Sequence, residues 1–278
     1  MSGALLAFGR PAGEEARAAP LAWRVPRRLA SVGMALVVPL GALLLWWAAS
    51  NRGWLPPQVL PEPELVWSGL VEMWRSGDLA RDAGMSLGRV AQGFLLGAGL
   101  GLALGAAMGL SRTVEDYLRP LFTAVAQVPT LGWIPLLMLP LGIGEPLKLA
   151  IIAKAALVPV ALNTLGGIRA VPRAWFEVAA VLRFRPGQLL RRVVLPATVP
   201  PVFTGIRYGL TNAWKALVAV ELLASSEGLG YQLVWGRQMM QMDLVVATMA
   251  VIAAIGLALD AALAAVERRL GRWREAGA

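Results

Sequence analysis

Four ionisable side chains, Lys154, Arg207, Lys215 and Glu221, lie in or beside long apolar runs of this 278-residue chain. A charge at such depth is costly unless it faces water or an opposite charge. Three cations and one acid placed this way allow two chemistries. They can line a path that favours small anions, or they can be held in structural pairs, Lys215 with Glu221 or Lys154 with Glu221, or snorkel toward an interface. A second concentration of charge lies between Gly167 and Pro201, where Arg169, Arg173, Arg183, Arg185, Arg191 and Arg192 accompany a single acid, Glu177. Covalent chemistry has no foothold. With no cysteine and no histidine the chain lacks thiolates, disulfides and the usual general base and metal ligand, and no polar catalytic cluster of a membrane enzyme is visible. Neither a metal site nor a cofactor of its own is expected.

The elements that must position these charges are apolar. The chain is 57% hydrophobic and 15% charged, and it holds several windows of about 20 apolar residues, the length that crosses a ~30 Å hydrocarbon core. The expected class is an all-α polytopic membrane protein. The formal charge of +9 does not point to nucleic acid, because the basic residues flank apolar spans, where they orient the chain in the lipid bilayer.

Residues 1–28 read as a cytoplasmic tail rather than a signal peptide. A membrane domain over 29–266 follows, with six spans expected at about 29–49, 86–111, 120–141, 147–165, 199–223 and 244–266, and residues 267–278 form a second short tail. Pro39 is placed to kink the first span, and Trp46 and Trp47 near its end suit the headgroup level. Between the first two spans, Val66, Leu70, Met73 and Trp74 recur at helical spacing in a segment expected to lie along the membrane surface. In the second span Gly93, Gly97, Gly101, Gly105 and Gly109 repeat every fourth residue, a smooth stripe that lets another backbone approach, within the chain or from a second copy. Residues 111–119 read as a polar break. Pro120, Pro129, Pro135 and Pro140 make the third span a bent element, expected to be enclosed by protein.

Lysine and arginine counts orient the chain. With both termini inside, one side holds five in residues 1–28, Arg112 and Arg119, the six of the island, and Arg268, Arg269, Arg272 and Arg274. The other side holds only Arg52, Arg75, Arg81, Lys148 and Arg237, so the island is expected in the cytoplasm. Within it Pro172 suits a helix start, Arg183 to Pro186 a turn, and Gly187 to Val194 a second short helix that Leu195-Pro196 ends. This helix, turn and helix is either a docking surface or a basic loop that touches lipid phosphate.

Glu177-Val178-Ala179 followed by Val193-Val194-Leu195-Pro196 resembles the EAA loop of permease subunits in binding-protein-dependent ABC importers. LPEPELVWSGL, LPLGIGEPLK, LNTLGGIRAVP, RRVVLPATVP and VAVELLASSEGLGY are similar to the nitrate, sulfonate and taurine branch, and the likeness covers about residues 60–274. It implies a type I importer fold and a place in the cell inner membrane. It also implies a permease homodimer, an extracytoplasmic solute-binding protein and two cytoplasmic ATPase subunits that carry ATP and Mg. The chain itself is then no enzyme.

In that reading the loop over 169–196 is a coupling helix docked on the ATPase, with Arg173 to Val194 as its moving part. Glu177, Val178, Ala179, Arg183, Phe184, Gly187, Leu189, Leu195 and Pro196 are its site residues, with Phe184 or Leu189 filling an apolar pocket. The family places glycine where Arg183 stands, and arginine in a left-handed turn costs on the order of 1 kcal/mol. Either the turn is built through Gly187, or Arg183 contributes charge to the interface. Nitrate, sulfonates, taurine, bicarbonate and vitamin precursors all fit the resemblance as solutes. An ion-coupled secondary transporter is the rival class, but apart from Glu221 its acids, such as Asp243 and Asp260, would lie near span ends.

Overall fold

The structure, a computed structural model, describes the backbone of residues 27–275 and the side chains of residues 37–269. The tail expected over 1–28 lies outside the described residues except for its last two positions. Among the described residues every regular element is helical. The chain divides between Ala48 and Ala49. The described part of the first unit is α1 (Arg27–Asn51) up to Ala48, which carries Pro39 in its interior and exposes Val37, Val38, Leu40 and Leu43.

The second unit opens with α2 (Pro63–Ser76), started by a proline whose missing N–H has no helical partner to lose and ended by Gly77 at φ 83°. Val66 and Met73 are buried and Leu70 packs beside them, whereas Trp74 is 71% exposed. The buried stripe therefore runs along Val66, Leu70 and Met73, and Trp74, one step of about 100° beyond Met73, faces outward. The next helix, α3 (Asp78–Leu110), begins eight residues before the expected second span.

The polar break expected over 111–119 is instead the start of α4 (Arg112–Gln127). Ser111 caps it, its hydroxyl accepting from the Val114 N–H at 3.4 Å, and Glu115 sits in the first turn. A 3-10 turn (Thr130–Trp133) and α5 (Ile134–Leu141) complete the bent element, turning 97° from α4. The bend has a local cause, since Pro129 offers no N–H and holds Val128 in extended conformation. Enclosure is one-sided: Ile134 is buried, but Leu121, Leu136 and Leu139 are 66%, 57% and 84% exposed.

At the centre runs α6 (Glu145–Arg169). Two short helices follow, α7 (Arg173–Val181) and α8 (Pro186–Leu189). A π turn (Leu190–Val194) then leads directly into α9 (Leu195–Ala224). Leu195-Pro196 thus continues the helix that it was expected to end. The wider π turn, with the Leu195 N–H reaching the Leu190 carbonyl, accommodates a proline that an α turn would reject. The chain closes with α10 (Leu229–Gln238) and α11 (Met242–Glu275), which continues as helix through most of the stretch expected as a terminal tail.

The most extensive packing joins α3 to α6 and α6 to α9. The five-glycine stripe faces α6 of the same chain. A Cβ on Gly101 would lie 2.7 Å from the Leu157 carbonyl oxygen, and one on Gly105 would lie 2.5 Å from that of Ala161. From the other side Gly205 and Gly209 of α9 press on Pro159, Val160 and Ala156. The seam is intramolecular.

Of the six expected spans, the described residues hold four helices long and apolar enough to cross a membrane, or five if the bent pair is one span. The remaining one falls in α1, of which only the shorter apolar stretch Val37–Asn51 lies among residues with described side chains.

Candidate functional site

The island forms a defined turn at one end of the bundle. The Phe184 N–H donates to the Ala179 carbonyl at 2.9 Å and the Arg183 N–H to the Ala180 carbonyl at 3.0 Å. These two bonds are the paired hydrogen bonds of a Schellman C-cap, and Arg183 takes the left-handed position at φ 52°. The turn is therefore built at Arg183, and Gly187 lies inside α8 instead. Ala179 is buried beneath it, while Val178, Val181 and Leu182 are 58%, 83% and 59% exposed and Trp175 is half exposed. Positions 175, 178, 181 and 182 share a face of α7, so the island presents apolar surface as well as charge. Glu177 is exposed, with no ion pair among the described residues. Phe184 and Leu189 are half-buried, the former under the Arg192 guanidinium at 5.8 Å from the ring centre. Leu195 is half exposed and Pro196 half-buried at the head of α9.

Of the four ionisable residues singled out in the apolar runs, Lys154 and Lys215 come together. Both line a groove of about 630 Å³ between the bent element, α6 and α9, with Thr130, Asn163, Tyr208 and Asn212. Among the described residues that line it none is acidic. Lys154 Nζ donates to the Val128 carbonyl at 2.6 Å and to Thr130 Oγ1 at 3.4 Å, and it lies 5.7 Å from the centre of the Trp133 ring. Lys215 is exposed and lines both this groove and a second cavity that includes Trp214 and Asp260, with no hydrogen-bond or ion-pair partner among the described residues. Two cations without an acid give this groove a positive field that favours anions.

Arg207 and Glu221 turn elsewhere. Arg207 makes a bidentate pair with Asp260 of α11, at 2.7 and 2.8 Å, and reaches Glu267 at 3.3 Å. Glu221 is fully buried and pairs with neither lysine. Its partner is Arg89, whose Nη1 donates at 2.7 Å, while Ser86 Oγ and the Gly230 N–H complete its shell at 3.0 and 2.9 Å. Arg89 also binds Glu145 at the first turn of α6, and Glu145 in turn holds Lys148 at 2.9 Å. Asp82, Ser86 and Arg89 stand on one face of α3 and fasten the turn between α9 and α10 through Gly228, Leu229 and Glu227. The network lies at the end of α6 opposite the island, for Glu145 is that helix's first residue and Arg169 its last. At the island end, buried Glu115 of α4 binds Arg169 and Arg119.

Sequence reasoning missed Ser86, Arg89, Glu115 and Glu145 as organisers. The available cue was Arg89 itself, a guanidinium deep in an apolar span that required a carboxylate partner.

Residues 97–272 match the family described as the inner membrane component of binding-protein-dependent transport systems. The chain belongs to this family. Among curated relatives, a Bacillus subtilis protein named as an aliphatic sulfonates transport permease, SsuC, is 39% identical over 239 residues, 86% of this chain and 87% of its own. The taurine transport system permease protein TauC of Escherichia coli is 33% identical over 91% of this chain and 94% of its own. The bicarbonate transport system permease protein CmpB of Synechocystis is 29% identical over 82% and 85%. The fold resembles a chain in a crystal structure of an amino acid ABC transporter, with a TM-score of 0.62 at 16% identity, covering 72% of this chain and 97% of that one. Among the described residues, the exposed turn at Arg183 and the acid-free groove are both open to other molecules. The Arg89 network holds the bundle together.

Proposed function

We propose that this permease subunit forms the solute path of an ATP-driven importer in the inner membrane and couples to two partner ATPases through residues 173–194. Both termini are cytoplasmic in this reading, which puts the island on the ATPase side. A permease homodimer would receive solute from an extracytoplasmic binding protein, and ATP with Mg would be bound and hydrolysed in the partner subunits. Movement of the coupling helices would tilt the spans and open the path alternately to each side.

The observation that carries this reading is the exposed apolar face of α7, held rigid by the C-cap at Arg183 beside a run of arginines. Buried apolar anchors with a charged rim make a specific interface, and a loop resting on lipid phosphate would have no need of the rigid turn. The solute carries a small oxyanion group, as a sulfonate, taurine, nitrate or bicarbonate does, supported by Lys154 and Lys215 in the acid-free groove and by the names of the relatives. An ion-coupled transporter finds less support, because Glu221 and Asp260 are both engaged by arginines.

The test is co-purification. Glu177→Arg is expected to reduce recovery of the ATPase with the permease or to separate ATP hydrolysis from import, and a variant that remains fully coupled would overturn the proposal.

A further inference from the structure

α4 is fastened to α6 at two points and otherwise rests mainly on the neighbouring end of α3. Near its start, Glu115 binds Arg169, the last residue of α6 before the coupling helix. At its end, the Val128 carbonyl, freed by the bend at Pro129, accepts from Lys154. The helix between these points leaves Tyr117 and Leu121 80% and 66% exposed. The second fastening uses a side chain that also lines the groove, and the other cation of that groove, Lys215, is unengaged. An anion adds to the hydrogen bond a Coulomb attraction for the ammonium that a neutral carbonyl lacks, and that attraction grows where water is excluded.

We propose that Lys154 is a two-position cation: it fastens the bend to α6 while the groove is empty and, together with Lys215, clamps a small oxyanion when the groove is filled, so that occupancy releases α4. The inference rests on the reading of the groove as the solute path and adds to it a binding station and its consequence. The ligand is one singly charged oxyanion, nitrate or an alkylsulfonate in size. Two ammonium groups supply the opposing charge, and Tyr208 and Asn212 are hydrogen-bond donors on the same wall. Because Glu115 stays bound to Arg169, the freed end of α4 moves about a pivot beside the coupling helix, which gives the ATPase side a report that solute is present.

The absence of cysteine allows a single spin label on α4 at Leu121→Cys in the full-length permease reconstituted in nanodiscs. Methanesulfonate, and separately nitrate, is titrated while label mobility is recorded, and isotope-labelled methanesulfonate measures binding. Dimethyl sulfone, of nearly the same shape and uncharged, is the control. The expected result is saturable methanesulfonate binding with increased label mobility and no response to the sulfone. Lys215→Gln is expected to weaken binding at least tenfold with mobility normal before addition. Lys154→Met, of similar length and without a donor, is expected to give high mobility without anion and no further response. Equal binding of sulfone and sulfonate, binding unchanged in Lys215→Gln, or a rigid label in Lys154→Met would each overturn the proposal. So would the absence of binding to the parent permease. If import and ATPase coupling persisted alongside any of these, the two-position cation would fall while the permease function stood.

Discussion

Arg89 and Glu221, 132 residues apart in sequence, meet at 2.7 Å where α3 and α9 converge, and both side chains are all but removed from solvent. One guanidinium thereby ties together α3, the first turn of α6 and the turn between α9 and α10.

Removing one partner leaves the other buried and unpaired. Arg89→Ala is expected to lower stability by about 3–5 kcal/mol, as for other broken buried pairs. Arg89→Leu combined with Glu221→Leu should recover part of that loss, although the Gly230 N–H and Ser86 would still lack their acceptor. Thermal unfolding in detergent compares the three proteins.

The glycine seam predicts a sharp contrast between neighbours. Gly101→Ala forces a methyl against the Leu157 carbonyl and should destabilise by ~1–3 kcal/mol, the range for overpacking. Gly99→Ala, two residues away, meets open space and should leave the midpoint unchanged or raise it.

Arg183→Gly should stabilise the C-cap by about 1 kcal/mol, because glycine enters the left-handed region without a side-chain clash. Arg183→Val should lower both thermal stability and ATPase coupling, since a β-branched residue resists that geometry most. If Arg183→Gly keeps full coupling, the arginine charge is dispensable at the interface.

Val181→Asp changes a side chain that is 83% exposed and should leave thermal unfolding untouched. Affinity for the ATPase should nevertheless fall roughly tenfold or more, the scale of an interface hot spot. Co-purification and unfolding on the same preparation separate docking from folding.

How far the sequence could be read depended on the range of each interaction. The stripe from Gly93 to Gly109 was plain because a four-residue period is local, but that it faces α6 of the same chain depends on residues about 60 positions away. Leu195-Pro196 reads as a stop because proline usually ends an α turn, and the π turn that absorbs it leaves no local mark. The polar stretch 111–119 reads as a break because its charged side chains interrupt the apolar pattern, yet Ser111 caps α4 and the rest is its first two turns, which only the hydroxyl on the Val114 N–H reveals. In sequence the lysines of nearby spans are natural partners for Glu221, yet it reaches an arginine on α3. At the island, spacing and charge located the turn, while the choice between Arg183 and Gly187 as its left-handed residue required the backbone.

With glycines of α3 on one flank and of α9 on the other, α6 meets its neighbours backbone to backbone, with few long side chains to rearrange between them. Such a laminate resists shear and behaves as a keel. Deformation is then expected at the 97° bend beside Val128, away from the capped turn at Arg183. A displacement imposed at α7 is then expected to carry α6 and the two helices packed on it as one body.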